Sequence, residues 1–510
     1  MKVGMIAGSF LFCNVLSAQF TNGNIVVLQA GDGTLTYTGN VASPAILQEF
    51  TPLGNPTYSL ALPTGTAGIT VTGNDITEGL ITRSTDGHYI VIAGYNTTSG
   101  TAAPSTASAS VVPRGIAKVN PVGSYSLAVT TNTFYSDNIS GDGIGSATAD
   151  GNGNVWGCGH VSGITAFVYN GVTATTGSTI LTSPPSQNTR AVAVYNGQLY
   201  YSTGSVSHGL FMVGTGTPTA PTTTSLVVAL GSPYQFAFDP TGNTLYIADK
   251  TAGLQKWTFS SSTWTNVYTY TTTANAIKTI GLVADFSGVN PIIYATTANG
   301  ASLIAITDGG SLATSTITTL ATAPVNTTFR GLAFSPKCAG TSLSSITSFS
   351  SCAGSSIALT PTLLPNGTGA SYTLTTPSGA SSLSTALAAL SSTTAGTYPC
   401  TLTAQDGVGC TSNSQTFTVT INNCATGIKI NSVELATTIA PNPAKESVEI
   451  LFSTNANKNI YIVNSLGQTV LTKNTNDMNV KLDVSGFPQG IYFVIITSGS
   501  QKAIKKLIVQ

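Results

Sequence analysis

The sequence predicts an all-β protein of several domains. Gly and Pro occur 53 and 23 times among 510 residues, and only 7% of residues are charged. The polar surface must therefore come from Thr, Ser, Asn and Gly, which are residues of strands and turns. Short apolar segments such as QFAF and TLYIA are separated by turn sequences such as DPTGN. Such hairpin signals recur along the chain and favour antiparallel sheets.

The charge balance excludes some classes of partner. Lys and Arg together number 18, as do Asp and Glu, so the net charge is zero. Nucleic acid binding depends on basic contacts to phosphate, and anionic membranes attract polybasic segments. We therefore predict no nucleic acid partner and no electrostatic membrane contact. Past the first apolar stretch, the sequence predicts no transmembrane segment in the mature chain.

A unit of four strands recurs with a period typical of one fold class. The fragment from Pro233 contains the runs QFAF, TLYIA, GLQKW and TNVYTY. Successive first strands at Arg190, Tyr234, Ile280 and Arg330 are 44, 46 and 50 residues apart. A period of about 40–50 residues with four strands per repeat indicates a β-propeller.

The two ends of the repeat region predict how the ring closes. Five units are complete, and a sixth first strand at residues 330–335 has no following strands. GNIVVLQAGD from Gly23 and AILQEFTPLGNPTYSLALPT from Ala45 resemble the missing three strands. We therefore predict a six-bladed propeller over residues 19–336, in which the N-terminus completes the last blade. The insertion at residues 96–113 has too few apolar residues to be a seventh blade.

The hairpins resemble those of the NHL and SMP-30-like propellers. In that group a strand is followed by an Asp-x-x-Gly-Asn turn and a Leu-Tyr-x-Ala strand, as in DPTGNTLYIAD from Asp239. The resemblance implies the propeller fold and says little about function.

The first 18 residues have the pattern of a signal peptide. A single Lys precedes an apolar stretch, and Leu16-Ser17-Ala18 precede a predicted cleavage site before Gln19. Of seven cysteines, Cys13 lies in this segment and six remain. An even number of cysteines in an exported chain favours disulfides over metal or redox chemistry.

Residues 337–425 are predicted to form an immunoglobulin-like β-sandwich. The strands alternate, the length is near 90 residues, and Tyr398 stands two residues before Cys400. The region resembles Ig-like or PKD-like modules of secreted proteins from Bacteroidetes-type bacteria. That resemblance implies a pairing of Cys352 with Cys410, and the rival partner of Cys352 is Cys400. The other disulfide candidates, for closing the domain ends, are Cys338 and Cys424.

After a linker at residues 426–435, the C-terminal segment at 436–510 carries the most specific motif. APNPAKESVEILF is followed by GIYFVIITSGSQKAIKKLIVQ, and together they predict a small β-sandwich. This segment resembles the type A C-terminal sorting domain of the type IX secretion system. The matching sorting residues are Pro441, Asn442, Pro443, Gly467, Gly490, Tyr492, Lys505 and Lys506.

The sorting-domain resemblance implies a route and a location. It implies passage through the periplasm and recognition by the type IX secretion machinery of the outer membrane. The tail is usually removed, and the body is either released or attached to surface lipopolysaccharide. We therefore expect a protein that is secreted or held on the outer cell surface.

The residues at the starts of the inner strands are the candidate ligand site. Arg190, Tyr234 and Arg330, with nearby Glu78, are expected to bind a small anion or a sugar at the channel mouth. The alternative is a purely structural polar closure of the channel. Trp257 and Trp264 form a sugar platform or, in the alternative, pack within the outer blade.

The sequence contains no readable catalytic site. Its three His residues lack zinc-ligand spacing, and no nucleophile elbow is present. We therefore predict no catalytic residues, no metal site and no cofactor. The favoured function is a non-enzymatic binding or adhesion protein with a glycan or protein ligand. The alternative is a secreted hydrolase or lyase acting on a polysaccharide or lactone, which requires at least two carboxylates or His residues at one channel mouth.

Overall fold

A computed structural model describes most of the chain, with gaps. The described residues form strands, turns and bends, and include no helix. None of them forms a helix long and apolar enough to cross a membrane. The predicted signal peptide lies outside the described residues, as does the predicted linker up to residue 434. The described ranges are 20–34, 39–73, 75–136, 143–181, 187–205, 207–271, 275–338, 342–361, 363–364, 371–375, 390–407, 409–424 and 435–510.

The chain divides into two compact units. The first contains Met1–Ser351 and Ser355–Thr420, and the second contains Cys352–Gly354 and Ile421–Gln510. In the first unit, 25 strands form six antiparallel groups of four and one additional strand. We number these groups as blades.

Blade 1 comprises β1 (Ile25–Ala30), β2 (Ala42–Phe50), β3 (Pro56–Ala61) and β25 (Thr328–Phe334). Blade 2 comprises β5 (Thr82–Arg83), β6 (Ile90–Tyr95), β7 (Arg114–Val119) and β8 (Tyr125–Thr131). Blade 3 comprises β9 (Ile144–Ala149), β10 (Asn154–Gly159), β11 (Ile164–Val168) and β12 (Ser178–Thr179). Blade 4 comprises β13 (Thr189–Tyr195), β14 (Gln198–Thr203), β15 (Gly209–Val213) and β16 (Thr224–Ala229). Blade 5 comprises β17 (Pro233–Phe238), β18 (Thr244–Asp249), β19 (Gln255–Ser260) and β20 (Thr263–Thr269). Blade 6 comprises β21 (Thr279–Asp285), β22 (Ile292–Thr297), β23 (Ser302–Thr307) and β24 (Thr316–Thr322).

The blades form a ring around a central channel. The inner strands β5, β9, β13, β17, β21 and β25 each contact the next, and β25 contacts β5. The fold is therefore a β-propeller, and its six strand groups are consistent with the predicted six blades. The additional strand β4 (Thr70–Thr72) pairs with both β2 and β6 and so ties blade 1 to blade 2.

The strand pairing in blade 1 joins the two ends of the repeat region. Strand β25 pairs antiparallel with β1, with Phe334 opposite Ile25 and Leu332 opposite Val27. Strands β2 and β3 follow outward in the same sheet. Residues 96–113 form turns and one bridge, with no strand.

Burial explains why inner and outer strands differ in sequence. All six residues of β17 (PYQFAF) are buried, because neighbouring blades cover both of its faces. Strand β24 (TITTLAT) lies at the outer edge of blade 6 and is mostly exposed, which suits its Thr-rich sequence. The apolar core thus lies between blades rather than in one central layer.

The described residues between 342 and 424 form two further small sheets. Tyr398 is buried, and its hydroxyl donates to the Thr394 carbonyl at 2.8 Å. A Tyr bonded to backbone a few residues upstream is a feature of immunoglobulin-like domains, although the Ig-like assignment stays a prediction. The strands are β26 (Ser342–Leu343), β27 (Phe349–Cys352), β28 (Leu363–Leu364), β29 (Ser371–Thr375), β30 (Gly396–Gln405) and β31 (Gln415–Asn422), with β26 paired to β28 and the others ordered β27-β31-β30-β29.

The disulfides correct the expected pairing of Cys352 with Cys410. Cys410 is bonded to Cys338, and Cys352 is bonded to Cys424. Cys400 forms no disulfide and is buried, so it is neither the partner of Cys352 nor a bridging residue. The physical reason is position: Cys338 and Cys410 have Cα atoms 5.6 Å apart, within bridging reach. The prediction of a disulfide from Cys352 is confirmed.

Residues 435–510 of the second unit form a two-sheet β-sandwich, as predicted for the C-terminal segment. Alternate side chains of its strands, such as Ile460, Ile462, Val494 and Ile496, point into a shared apolar core. The two sheets are ordered β32-β33-β36 and β35-β34-β37-β38. Their strands are β32 (Thr437–Ala440), β33 (Ser447–Phe452), β34 (Lys458–Val463), β35 (Thr469–Thr475), β36 (Asn479–Asp483), β37 (Gly490–Ser498) and β38 (Gln501–Val509).

We expect the substitution Leu332→Ala to destabilise the whole propeller. Leu332 is fully buried and packs in a cluster with Ile25, Val27 and Phe50 from the other end of the chain. Truncating a buried Leu costs about 2–5 kcal/mol. Chemical denaturation should show this loss, and limited proteolysis should show cleavage in β1–β3.

The matched control is Leu53→Ala, because Leu53 is 82% exposed. Substitutions at such sites usually change stability by no more than about 0.5 kcal/mol. Equal effects of the two substitutions would show that blade 1 is not held together by its two chain ends.

Peptide mapping under non-reducing conditions should recover Cys338 linked to Cys410 and Cys352 linked to Cys424. The thiols of Cys158 and Cys400 are buried, and burial raises the pKa of both, that of Cys158 to about 12. A neutral buried thiol reacts slowly, so both should be alkylated only after unfolding. Recovery of a peptide linked through Cys400 would contradict this disulfide pattern.

Candidate functional site

The four residues predicted to bind a ligand lie together where the inner strands begin. Arg190 is in β13, Tyr234 in β17 and Arg330 in β25, and Glu78 precedes β5. The guanidinium carbon of Arg190 lies 4.6 Å from the centre of the Tyr234 ring. Arg330 interacts electrostatically with both Glu78 and Tyr234. The structure therefore brings all four to one end of the channel.

Glu78 is fully buried and held by protein donors. Its Oε2 accepts hydrogen bonds from the amide and hydroxyl of Thr72 at 2.8 and 2.9 Å, and Oε1 accepts from the Tyr95 hydroxyl. Burial raises the pKa of the carboxyl from its usual 4.5 to about 8, and the charge of Asp75 adds to this. A raised pKa suits a general acid, but both oxygens are occupied and no surface is exposed. The Glu78 carboxyl is therefore engaged by the protein at this end of the channel.

The two arginines at this end are also engaged by the protein. Arg330 is 1% exposed, and its Nη2 donates to the Gly73 carbonyl at 3.0 Å. Burial lowers the pKa of Arg330, and the charge of Glu78 opposes that effect. Half-buried Arg190 donates from Nη1 to the Ser232 hydroxyl at 2.7 Å. These contacts fit the alternative of a polar closure, and a ligand role for the four residues stays a prediction.

Gln235 closes the channel further along. Its side-chain amide donates to the Ile81 carbonyl at 2.7 Å, and its oxygen accepts from the Leu282 and Leu332 amides at 3.2 and 3.0 Å. One side chain thus bonds to backbone groups of three other blades. Ile81 directly precedes β5, Leu282 lies in β21 and Leu332 lies in β25. Buried backbone groups need such partners, so Gln235 joins blade 5 to blades 1, 2 and 6 at the axis.

Beyond Gln235 the channel opens at the end where the inner strands finish. A cavity of about 390 Å³ lies there, which is within the range of small-ligand pockets. Its wall combines apolar and aromatic side chains with a few polar ones. Its lining includes residues at or just beyond the ends of four inner strands, namely Arg83, Tyr195, Asn196, Phe238, Asp239 and Phe334.

Arg83 is the cation in the wall of this cavity. It is half-buried, donates to the Ser335 carbonyl at 3.3 Å, and lies with its guanidinium carbon 5.7 Å from the centre of the Phe334 ring. Burial lowers its pKa, and the interaction with Tyr195 opposes that effect. An arginine stays charged in spite of such a shift. Arg83 can therefore pair with an anionic group such as a carboxylate, and the same lining also contains the carboxylate of Asp239.

A second cavity of about 640 Å³ lies between blades 4 and 5. Among the described residues that line it, none carries a charge. Phe259 and Leu226 are 40% and 54% exposed at its edge, and Ser262 and Thr263 add hydroxyl groups. We call this cavity the aromatic groove, and its aromatic residues are Tyr195, Tyr200, Phe238, Trp257, Phe259 and Trp264.

The two cavities share part of their walls. Tyr195, Asn196 and Phe238 line both of them. The ring centre of Tyr195 lies 5.5 Å from that of Phe238, which lies 5.8 Å from Trp264, and Trp264 lies 5.3 Å from Phe259. A continuous row of aromatic rings thus leads from the channel mouth to the outer edge of blade 5.

The two tryptophans of blade 5 were predicted either to form a sugar platform or to pack within the outer blade, and the structure shows features of both roles. Trp257 and Trp264 are half-buried and pack against the core of the first unit. Trp257 Nε1 donates to the Gln255 side-chain oxygen at 2.9 Å. Both rings also line the aromatic groove. The row of Tyr195, Phe238, Trp264 and Phe259 was missed in the sequence because its members come from four strands of two blades.

The described residues contain no group of three or more His, Cys, Asp or Glu side chains placed to hold a metal ion. Two carboxylates, Asp75 and Glu78, do interact near the channel entry. Asp75 accepts hydrogen bonds from the Thr77 amide and hydroxyl at 2.8 and 2.7 Å, so it too is engaged locally. Asp142, which precedes the first strand of blade 3 in the sequence, lies outside the described residues.

The sorting residues shape one end of the second unit. The Asn442 side chain, between Pro441 and Pro443, donates to the Lys506 carbonyl at 2.6 Å and accepts from the Ile508 amide at 2.8 Å. This pair of bonds fixes the Pro-Asn-Pro segment to β38. Gly467 adopts a φ of 82° in the β34–β35 turn, a conformation that favours glycine.

The remaining sorting residues lie on the last two strands. Gly490 begins β37 opposite Val509, and the buried Tyr492 donates from its hydroxyl to the Pro488 carbonyl at 2.8 Å. On β38, Lys505 is half-buried and Lys506 is exposed.

Comparison with protein families identifies the tail. Residues 438–510 match the model of the secretion system C-terminal sorting domain. This tail is the sorting domain of type IX secretion, and it directs the chain through the periplasm to the cell surface or the extracellular space. It also implies the type IX machinery as a partner. No curated protein matches the chain.

Solved structures with similar folds include propellers. A gluconolactonase from Xanthomonas campestris is 11% identical with a TM-score of 0.35, covering 59% of this chain and 89% of that one. PorZ, a surface component of the type IX system of Porphyromonas gingivalis, is 13% identical with a TM-score of 0.32, covering 92% and 64%. A β-propeller domain from Myceliophteria thermophila is 9% identical with a TM-score of 0.34, covering 58% and 86%. At these identities we take nothing about activity or ligand from them.

We expect Glu78 to make the stability of the propeller depend on pH. Because folding raises the pKa of this carboxyl from 4.5 to about 8, its contribution is complete below pH 4.5 and is lost as the pH rises towards 8. The free energy of unfolding should therefore fall by up to about 1.4 kcal/mol per pH unit in this window. Denaturant titrations at pH 5 and pH 8.5 measure the change.

The variant Glu78→Gln is the comparison, because the amide has a similar shape and does not titrate. It should lose less stability than the wild type between the two pH values. Parallel pH profiles for the two proteins would mean that Glu78 keeps an ordinary pKa in the folded state.

Proposed function

We propose that this chain is an exported, non-enzymatic binding protein whose propeller binds carbohydrate. The observation that carries the proposal is the continuous aromatic surface from the channel mouth to the edge of blade 5. Ligand pockets combine apolar and aromatic walls with a few polar groups that fix orientation. Both cavities have that composition.

The chemistry of the two cavities favours sugars over other ligands. A sugar ring presents apolar C–H faces that stack on aromatic rings, while its hydroxyl groups bond to amide and hydroxyl groups at the edge. The half-buried rings of Trp257, Trp264 and Tyr200 supply such faces. Asn196 and Thr263 supply polar groups nearby. The uncharged groove suits neutral sugar units, and Arg83 in the adjoining cavity suits a unit that bears a carboxylate.

The export route gives this binding role its setting. The sorting domain directs the protein to the cell surface or beyond, where carbohydrates of other cells, of hosts and of the environment are accessible. A propeller presents one face of clustered loops as a rigid scaffold. Adhesion to a glycan-bearing surface is the function that combines this face with surface delivery.

The test is a screen of the full chain against an array of neutral and acidic oligosaccharides. We expect binding to a subset of glycans, and we expect Trp264→Ala to weaken it by at least about tenfold. This loss corresponds to about 1.4 kcal/mol, a typical value for one aromatic residue at a binding centre. The control Leu53→Ala removes an exposed apolar side chain from blade 1 and should leave binding unchanged.

A second variant tests the channel-end cavity. Arg83→Met keeps the length of the side chain and removes its charge, so it should weaken binding of carboxylated sugars and spare neutral ones. Carbohydrate binding is refuted if no glycan on the array binds the wild type, or if Trp264→Ala binds every glycan as tightly as the wild type does.

A further inference from the structure

The outer faces of the two sheets in the sorting domain differ in chemistry. A sandwich buries one face of each sheet and normally presents polar side chains on the other. The sheet β32-β33-β36 follows this rule. Its outer face carries Glu449, Lys481 and Asp483, together with one large exposed apolar side chain, Leu451, which is 48% exposed.

The other sheet, β35-β34-β37-β38, departs from the rule. Ile491, Phe493 and Ile504 on its outer face are 45%, 40% and 44% exposed. Half-buried apolar side chains stand beside them. We define the apolar face as Tyr461, Val463, Ile491, Phe493, Ile495 and Ile504.

The strand register makes this face continuous. Tyr461 is opposite Ile495, which is opposite Ile504, and Val463 is opposite Phe493 in the adjacent row. Side chains opposite each other on neighbouring strands are in contact distance. The residues therefore form one patch across three strands, unlike the single apolar residues that are scattered over ordinary surfaces.

The charges next to the apolar face are all positive. Lys502 and Lys506 alternate with Ile504 along β38, and Lys506 is opposite Phe493. No acidic side chain is among the described residues at the outward positions of β34 and β35, where the polar residues are Asn and Thr, for example Asn459 and Thr472. An apolar patch with a basic edge is complementary to an apolar surface with an acidic edge.

We propose that the apolar face is the surface by which the sorting domain docks onto the secretion machinery. The family match covers residues 438–510 and so includes the whole face. A sorting domain must present an accessible surface to its receptor, and an exposed apolar patch of this kind marks an interaction site. The partner is a protein of that machinery with an apolar, acid-edged binding surface.

The test uses the full chain expressed in a bacterium that has the type IX machinery. The variants Phe493→Thr and Ile504→Thr reduce the apolar area of this face, and Thr still favours strand conformation. We expect each variant to reach the surface or medium at least about tenfold less than the wild type does, because central apolar anchors dominate interfaces. The missing protein should accumulate in the periplasm, as measured by cell fractionation.

Two further variants control for folding and for general loss of apolar surface. Leu451→Thr removes a side chain of matched exposure from the polar sheet and should be secreted normally. Lys506→Glu reverses the charge beside Phe493 without touching the core, and should also trap the chain. Melting temperatures of the purified full-length variants should match that of the wild type. If a threonine variant is destabilised, the secretion of Lys506→Glu tests the docking proposal instead.

Three results would overturn the proposal. The first is normal surface delivery of stable Phe493→Thr and Lys506→Glu variants. The second is equal trapping of Leu451→Thr, which would mean that the two faces are equivalent. The third is a wild-type dimer that Phe493→Thr dissociates while secretion continues, because the face would then bind a second copy of this chain.

Discussion

The propeller depends on the antiparallel pairing of β25 with β1. This pairing joins the two ends of the repeat region, with Phe334 opposite Ile25. Each blade covers the face of its neighbour, so an open ring would expose the apolar faces of two blades and a row of unpaired backbone groups. The Gln235 side chain at the axis also depends on the closure, because it accepts a hydrogen bond from Leu332 in β25.

Closure gives the channel two different ends. Where the inner strands begin, Glu78 and Arg330 are buried and bonded to the protein, and these contacts hold blades 1 and 2 together. Where the inner strands finish, a cavity remains open and joins the aromatic groove through Tyr195 and Phe238. The same ring thus uses its polar residues for structure at one end and presents aromatic surface at the other.

The sorting domain shows a comparable asymmetry between two faces. The core of its sandwich is built by strict alternation, with Tyr492 and Val494 pointing inward and Ile491 and Phe493 pointing outward. Strand β37 carries apolar residues at its inward-facing and at its outward-facing positions, so it is apolar on both sides. Folding requires only the inner set, so the outer set needs a separate explanation, and export by a receptor that recognises this domain supplies one.

The sequence by itself determined the repeat, the ring closure and the sorting domain. Hairpin signals and strand spacing are local, and the missing strands of the last repeat were readable as GNIVVLQAGD because strand patterns persist wherever they lie in the chain. The tertiary structure alone decided the disulfides, because six cysteines allow 15 pairings and proximity selects among them. It also decided the burial of Glu78 and the row of Tyr195, Phe238 and Trp264. These features arise where separate blades meet, and no local pattern encodes the distance between side chains that far apart in sequence.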